Sequence, residues 1–193
     1  MEHCDAFIIG GSAGSLDVLL KVFPLLNSFL SFPIIIVLHR KRGTDNLLTT
    51  LLSSKTNLPL RELEEKEIIE PSTIYIAPSD YHLLIENNRS FSLDASEKIN
   101  FSRPSIDVIF YSAAEVYKEN LVCLLLSGSN NDGIEGLKKV KENGGKAIIQ
   151  NPLSAAVPFM PAQAALNVNI DKVLEIEDIA DYINQLSENE RKY

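Results

Sequence analysis

A serine between two glycines near the start of the chain is the first residue whose type and setting could do chemistry. Ser12 stands in the pattern Gly10-x-Ser12-x-Gly14, between an apolar stretch and an amphipathic one. In the nucleophile-elbow pattern, flanking glycines permit a sharp strand-to-helix turn that exposes a serine Oγ above a sheet. The same turn could instead bind phosphate, because the first N–H groups of the following helix can hold an anion.

A histidine and an aspartate follow two further apolar stretches, and they favour the nucleophile. His39 comes directly after residues 33–38, and Asp132 lies in the polar turn after residues 121–126. Serine, histidine and aspartate are the members of an acyl-transfer triad, in which histidine takes the serine proton and aspartate fixes the histidine tautomer. Because ligands of an open α/β sheet bind at the carboxyl ends of its strands, we expect Ser12, His39 and Asp132 to share one edge.

The turn at Ser12 also offers a stabiliser for the anion that forms during acyl transfer. The backbone N–H of Ala13, at the start of the following helix, can face the developing oxyanion. We expect a second donor from the polar turn at residues 127–130. The chain order serine, histidine, aspartate is no obstacle, since triads are defined by geometry and not by order.

The glycine spacing argues against the phosphate alternative. A dinucleotide fingerprint needs Gly-x-Gly-x-x-Gly, but counted from Gly10 its later glycine places hold Ser12 and Ser15. The Gly-Lys-Ser/Thr ending of a Walker loop is also absent from this turn. A phosphate-binding domain is therefore less favoured than a serine hydrolase, and less than a catalytically weak binding or signalling module that docks a receptor or regulator.

Alternating apolar strands and amphipathic helices must position these residues. Continuous β-branched runs such as residues 33–38 are typical of central parallel strands covered on both faces. Residues 81–86 and 90–93, joined through two asparagines, predict a hairpin, because asparagine tolerates the positive φ of tight turns. We expect an α/β fold: a doubly wound, mostly parallel sheet with helices on both faces and an antiparallel hairpin near residues 81–93. The other predicted strands are 5–9, 33–38, 60–63, 73–77, 121–126, 146–150 and 172–175, and the predicted helices are 15–26, 45–54, 106–119, 134–143, one from Pro161, and 178–186.

Length and composition fit one globular domain. The chain has 193 residues, of which 45% are hydrophobic and 23% charged, so it can bury a core without metal or disulfides. We expect a single catalytic domain over residues 1–186, followed by a polar C-terminal tail at residues 187–193.

Charge and residue clusters exclude several kinds of partner. A net charge of −8 argues against nucleic acid, which requires a basic face. The N-terminus lacks a basic signal-peptide region and no apolar stretch could span a bilayer, so we predict a cytoplasmic protein without membrane insertion. No His, Cys, Asp or Glu cluster has metal-ligand spacing, so we expect no metal and no other cofactor.

Three further features are weaker candidates. His82, at the start of the predicted hairpin, and His3, near the N-terminus, fall away from the predicted edge of strand ends. A basic run such as Arg40-Lys41-Arg42 usually forms a solvated patch. Because this run adjoins His39 on an otherwise acidic protein, we hypothesise that it docks an acidic partner.

Short blocks in a fixed order run along nearly the whole chain. They are Ile8-Ile9-Gly10-Gly11-Ser12-Ala13-Gly14, Val37-Leu38-His39, Ile74-Tyr75-Ile76-Ala77-Pro78 with His82-Leu83, Arg103-Pro104-Ser105-Ile106-Asp107-Val108, Leu126-Ser127-Gly128 with Asp132-Gly133 and Gly136-Leu137, Gly144-Gly145 with Gln150, and Met160-Pro161. Such a series is much more specific than any one motif. It resembles the catalytic domain of the CheB family of chemotaxis protein-glutamate methylesterases.

The resemblance implies hydrolysis of glutamyl γ-methyl esters on the methylated cytoplasmic helices of chemoreceptors, with water as the only co-substrate. Deamidation of particular receptor glutamines is a second activity that it implies. The family's nucleophile, base and orienting acid fall on Ser12, His39 and Asp132. Its oxyanion donors fall on the backbone N–H groups of Ala13 and Ser129.

The chain departs from the family pattern at three points. Ser129-Asn130 replaces a Met-Gly pair, and the loss of that glycine can alter the turn that aims the Ser129 N–H. Arg40 stands where the family usually has methionine, and Ser15 stands where a second glycine is common. These departures bear on substrate choice and efficiency, and Arg40 and Met160 are the candidates for the substrate side of the site.

The family's usual N-terminal receiver domain has no counterpart before the first predicted strand. The resemblance therefore leaves three arrangements open: a stand-alone esterase, an esterase controlled in trans by a separate response regulator, or a fragment of a longer protein.

Overall fold

A parallel sheet of seven strands forms the centre of the molecule. It is seen in a computed structural model of the chain, which describes residues 3–40, 45–99 and 101–190. The strands follow the predicted runs, each to within two residues of its predicted bounds. They are β1 (Ala6–Gly11), β2 (Ile34–Leu38), β3 (Leu60–Glu62), β4 (Ile74–Ile76), β7 (Leu121–Leu125), β8 (Lys146–Gln150) and β9 (Lys172–Leu174), with β5 (His82–Ile85) and β6 (Phe91–Asp94) in a separate hairpin.

The order of the strands creates a crevice at the middle of the sheet. Across the sheet the order is β3-β4-β2-β1-β7-β8-β9, and every neighbouring pair is parallel. The chain runs outward from β1 to β2 and beyond, then returns to β7 on the other side of β1. Such a reversal of strand order is where open α/β sheets bind ligands. The predicted doubly wound fold is confirmed.

Helices cover both faces of the sheet. Alternate residues of β1 face opposite sides, so that Phe7 and Ile9 join one buried core while Ala6 and Ile8 join the other. The first core is covered by α1, α2 and α6, and the second by α3, α4, α5 and the hairpin. The helices are α1 (Ser15–Val22), α2 (Asp45–Ser53), α3 (Ile106–Tyr117), α4 (Ile134–Glu142), α5 (Phe159–Asn167) and α6 (Ile176–Glu190). No helix among the described residues has both the length and the apolar character needed to cross a membrane.

The hairpin forms where the sequence predicts it, but its turn uses a different residue. The pair β5 and β6 is antiparallel. The positive φ of the turn falls on Arg89, at 60°, and not on an asparagine. Asn88 instead accepts hydrogen bonds through Oδ1 from the N–H and the hydroxyl of Ser90, which shapes the same turn from its side chain.

Two helix ends differ from the predictions for local reasons. The first helix stops at Val22 and continues as a short 3₁₀ turn, because Pro24 cannot donate to the helix ladder. Helix α5 begins at Phe159, which places Pro161 inside the first turn rather than at its first position.

The C-terminal helix shows that the predicted tail begins too early. Helix α6 continues to Glu190, and Ser187 is fully buried, its hydroxyl accepting the N–H of Ser31 at 2.9 Å. The prediction of a polar tail from residue 187 is therefore wrong for residues 187–190, because this polar side chain has a buried partner that lies far away in sequence. The rest of the predicted tail, residues 191–193, lies outside the described residues.

Candidate active site

The three predicted triad residues lie at the carboxyl edge of the sheet, each in a turn that follows a strand. Ser12 follows β1, His39 follows β2, and Asp132 lies in the turn between β7 and α4. Because β1 is hydrogen-bonded to both β2 and β7, these turns are neighbours. Parallel strands end at one edge of a sheet, so the fold brings together the side chains that the sequence spacing selected.

Hydrogen bonds hold these turns against one another. The N–H of His39 donates to the carbonyl of Gly11 at 3.1 Å, and the N–H of Ser12 donates to the carbonyl of Ser127 at 2.9 Å. The Ser15 hydroxyl donates to the same Ser127 carbonyl at 2.8 Å. The Ser12 turn is thus tied to the end of β2 on one side and to the turn after β7 on the other.

His39 and Asp132 form a short, buried hydrogen bond. His39 Nε2 lies 2.7 Å from Asp132 Oδ2, and the two side chains are 10% and 0% exposed. An ionised carboxylate only accepts hydrogen bonds, so Nε2 must carry the proton. Nδ1 is then the nitrogen of the neutral ring that can accept a proton from Ser12. This is the orientation of a histidine by an acid that a triad requires.

Donors from the start of α3 surround the Asp132 carboxylate. Oδ2 accepts the Ile106 N–H at 2.7 Å, and Oδ1 accepts the Ser105 hydroxyl at 2.8 Å and the Asp107 N–H at 3.0 Å. Burial alone would raise the pKa of Asp132, but hydrogen bonds from His39 and from these backbone N–H groups outweigh burial and hold the pKa below its usual value. Asp132 is therefore charged at neutral pH and fixed in orientation.

Two glycines shape the surroundings of Ser12. Gly14 has a φ of 84°, in the left-handed region that favours glycine, and it leads the chain from the turn into α1. A Cβ placed on Gly128 would lie 3.0 Å from Ser12 Cβ and 2.6 Å from Met160 Cε. Only glycine therefore lets the turn after β7 approach Ser12 this closely.

Ser12 and His39 line a common cleft of about 340 Å³. No hydrogen bond within the described residues joins Ser12 Oγ to His39. In free enzymes such bonds are often long and tighten when substrate binds, so this geometry is compatible with a nucleophile and its base. Arg40 also lines the cleft, and its other walls are leucine side chains: Leu16, Leu38, Leu47, Leu48 and Leu51.

The two predicted oxyanion donors belong to residues that follow Ser12 and Gly128 directly in the chain, on turns that approach each other closely. In residues 3–40, 45–99 and 101–190, no hydrogen bond uses the backbone N–H of Ala13 or of Ser129. Neither Ser129 nor Asn130 has a positive φ, so the turn does not need the family's glycine. Asn130 shapes this turn instead, because its Oδ1 accepts the N–H of Asp132 at 3.2 Å.

Of the two predicted substrate-side residues, Arg40 lines the cleft and Met160 is buried. The Arg40 side chain is only 9% exposed, and its Nη2 donates to Glu62 at 3.2 Å and to the Ala77 carbonyl at 2.6 Å. It therefore ties the end of β2 to β3 and β4. Met160 is fully buried beneath the Gly128 turn, where it supports the turn instead of lining an open surface. Lys41 and Arg42, the rest of the predicted docking run, lie outside the described residues.

Sequence reasoning missed the residues behind Asp132. His82, a weak candidate, is 1% exposed and lies behind Ser105, whose N–H it accepts through Nδ1 at 3.2 Å. Its Nε2 lies 2.9 Å from the Glu97 carbonyl, so the ring is fixed as the Nε2–H tautomer. The sequence signal that could have drawn attention to Ser105 is the start of α3, since a serine before an apolar helix start is a typical cap.

Comparisons with known proteins agree with this geometry. Residues 7–183 match the sequence model of the CheB methylesterase family. A Leptospira interrogans protein with the provisional name protein-glutamate methylesterase/protein-glutamine glutaminase is 43% identical over 185 residues, which cover 96% of each chain. A Thermotoga maritima protein-glutamate methylesterase/protein-glutamine glutaminase is 34% identical over 182 residues, which cover 93% of this chain and 53% of that protein.

A solved structure gives the same result for the fold. The crystal structure of the Thermotoga maritima CheB methylesterase catalytic domain matches with a TM-score of 0.91 at 33% identity, covering 95% of this chain and 98% of the other. The agreement thus extends over the sheet, both helix layers and the hairpin. By sequence and by fold, the chain belongs to the CheB methylesterase family.

Proposed function

We propose that this protein is a serine esterase that removes the methyl group from glutamyl γ-methyl esters on the cytoplasmic helices of a chemoreceptor. The observation that carries the proposal is the buried 2.7 Å bond between His39 and Asp132, in a cleft that Ser12 also lines. Membership of the methylesterase family supplies the substrate class. The catalytic domain would extend to the end of α6 at Glu190.

The reaction has two acyl-transfer steps. Ser12 Oγ attacks the ester carbonyl while His39 Nδ1 takes its proton, and Asp132 stabilises the imidazolium that forms. The tetrahedral intermediate then collapses, and methanol leaves with the proton from His39. Water attacks the remaining glutamyl–serine ester with His39 again as the base, which restores the glutamate and the free Ser12 hydroxyl.

The backbone N–H groups of Ala13 and Ser129 stabilise the oxyanion in both steps. Both N–H groups are unused by hydrogen bonds among the described residues, and they stand on the two turns that meet at Gly128 and Ser12. Backbone donors at fixed positions stabilise a developing charge without reorganising. The side chain at position 129 is therefore not required to be methionine.

Deamidation of receptor glutamines belongs to the same proposal. The acyl-enzyme is identical, and ammonia instead of methanol leaves in the first step. Control in trans by a separate response regulator is a further part of the proposal, and it rests on the family resemblance and not on any contact in the structure.

The test measures methanol release from a methylated receptor cytoplasmic fragment. We expect wild-type protein to release methanol and Ser12→Ala to be slower by about 10⁴-fold or more. Ser54→Ala, which alters an exposed serine just after α2, serves as the matched control and should retain full activity. Equal inactivity of wild type and Ser12→Ala on several methylated receptors would instead favour a binding module.

A further inference from the structure

Two acidic residues cap each other's helices behind the candidate triad. Asp132, just before α4, accepts the first N–H groups of α3. In return Asp107, in the first turn of α3, accepts the N–H of Gly136 in the first turn of α4 at 2.7 Å. Each carboxylate satisfies N–H groups at the start of the other's helix, which have no partner within that helix. The turn that carries Asp132 is thereby fixed by two helices.

The charge of Asp107 is not explained by this hydrogen bond. The pKa of Asp107 is raised to about 6, mainly by burial; the Gly136 N–H lowers it, and the neighbouring Asp132 carboxyl also raises it, through its charge and a side-chain hydrogen bond. An asparagine would accept the same N–H through its side-chain oxygen without carrying a charge. An acid at this position therefore opposes stability at neutral pH and calls for another reason.

The charged groups that face Asp107 identify where its charge acts. On its outer side it lines a polar depression with Glu135 and Lys138 of α4, which form an ion pair at 2.6 Å. The side chains that α5 adds to this depression are uncharged amides. On its inner side stands Asp132, which in turn bonds His39. The Asp107 carboxylate is therefore close to the Asp132–His39 pair, whose histidine becomes positively charged when it takes the Ser12 proton.

We propose that Asp107 is a positioning residue of the esterase, which fixes the turn of Asp132 through Gly136 and adds negative charge behind the Asp132–His39 pair. The inference rests on the proposed function. When His39 takes the Ser12 proton, a second carboxylate behind Asp132 lowers the energy of the imidazolium. The protein thus keeps a charge that weakens its folding because that charge favours the transition state.

The two effects of this charge depend on pH in opposite directions. The pKa of about 6 in the folded protein is above the usual value of 3.8. Compared with a neutral residue at this position, Asp107 therefore lowers the stability of the fold progressively as the pH rises from 3.8 to about 6. Its contribution to rate is present above about pH 6, where the group is ionised, and is lost as the pH falls below it.

The decisive variant is Asp107→Asn, which removes the charge and keeps an acceptor for Gly136. At pH 8 we expect kcat to fall about tenfold with little change in KM, and the midpoint of thermal unfolding to rise by about 3 °C or more. As the pH is lowered to 5, the ratio of wild-type to variant kcat should approach one. Asp107→Ala also removes the acceptor, so it should be less stable than Asp107→Asn at every pH.

Two results overturn the inference while leaving the proposed function intact. One is a ratio of wild-type to Asp107→Asn kcat that stays constant from pH 5 to pH 8, as a purely structural residue would give. The other is an Asp107→Asn protein that is no more stable than wild type at pH 8. A wild-type protein that releases no methanol is a separate outcome, in which the proposed function fails and the inference fails with it.

Discussion

Substitution of Gly128 tests how closely the turn after β7 must approach Ser12. In Gly128→Ala the new Cβ would stand 2.6 Å from Met160 Cε, 2.8 Å from Met160 Sδ and 3.0 Å from Ser12 Cβ. Met160 is fully buried, so its side chain has little room to withdraw. Overpacking of this kind costs about 1–3 kcal/mol of folding free energy.

The effect of Gly128→Ala on rate should come from the contact with Ser12. Misplacement of a reacting group by about 1 Å costs roughly 10²-fold in rate, so a shift of a few tenths of an ångström should cost on the order of tenfold in kcat. The assay is initial methanol release at saturating substrate, beside a denaturant titration of the same protein.

A second variant separates the two contacts. Met160→Ala added to Gly128→Ala removes the sulfur and the methyl group that the new Cβ would meet, so the two stability costs should sum to more than that of the double variant. The contact with Ser12 remains, and kcat should stay low. A single Gly128→Ala variant with wild-type kcat, or a double variant whose kcat recovers, would refute the idea that this glycine serves the position of Ser12.

Two further variants probe the supports of the site. Ser105→Ala removes a buried 2.8 Å hydrogen bond to the charged Asp132 carboxylate, so it should cost about 1.5–3 kcal/mol of folding free energy. We also expect it to lower kcat more than it raises KM. Unchanged thermal unfolding would contradict this prediction. Arg40→Met introduces the family's usual residue and removes the hydrogen bonds to Glu62 and the Ala77 carbonyl, so it should lower the folding free energy by about 1–3 kcal/mol. We expect KM to stay within about threefold of the wild-type value. A large rise in KM would show instead that Arg40 contacts the substrate.

The sequence was sufficient to predict the sheet and the shared edge at which the three candidate triad residues lie. Ser12 and His39 directly follow continuous apolar strands, and Asp132 follows such a strand after a short turn. The carboxyl ends of parallel strands share an edge whatever the details of packing. The location of these residues therefore depends on local patterns and one topological rule, and both can be read from the chain.

The supports of the site could not be predicted in the same way. Ser105 and Asp107 reach Asp132 only because α3 packs against the start of α4, a contact between segments that are 25–27 residues apart in sequence. The hydrogen bonds of Arg40, which reach Glu62 of β3 and the Ala77 carbonyl just after β4, likewise depend on partners elsewhere in the fold. Side-chain direction and helix packing are set by tertiary contacts, which the spacing of apolar residues along the chain does not predict.

The central claim, that Ser12 is a nucleophile activated by His39, is tested most directly by covalent trapping. A fluorophosphonate probe is mixed with wild-type protein, Ser12→Ala and His39→Gln, and the modified peptide is located by mass spectrometry. We predict one stoichiometric adduct on Ser12 in the wild type, none in Ser12→Ala, and labelling slowed by at least about 10²-fold in His39→Gln. An adduct on another residue, or equal labelling of wild type and His39→Gln, would contradict the mechanism.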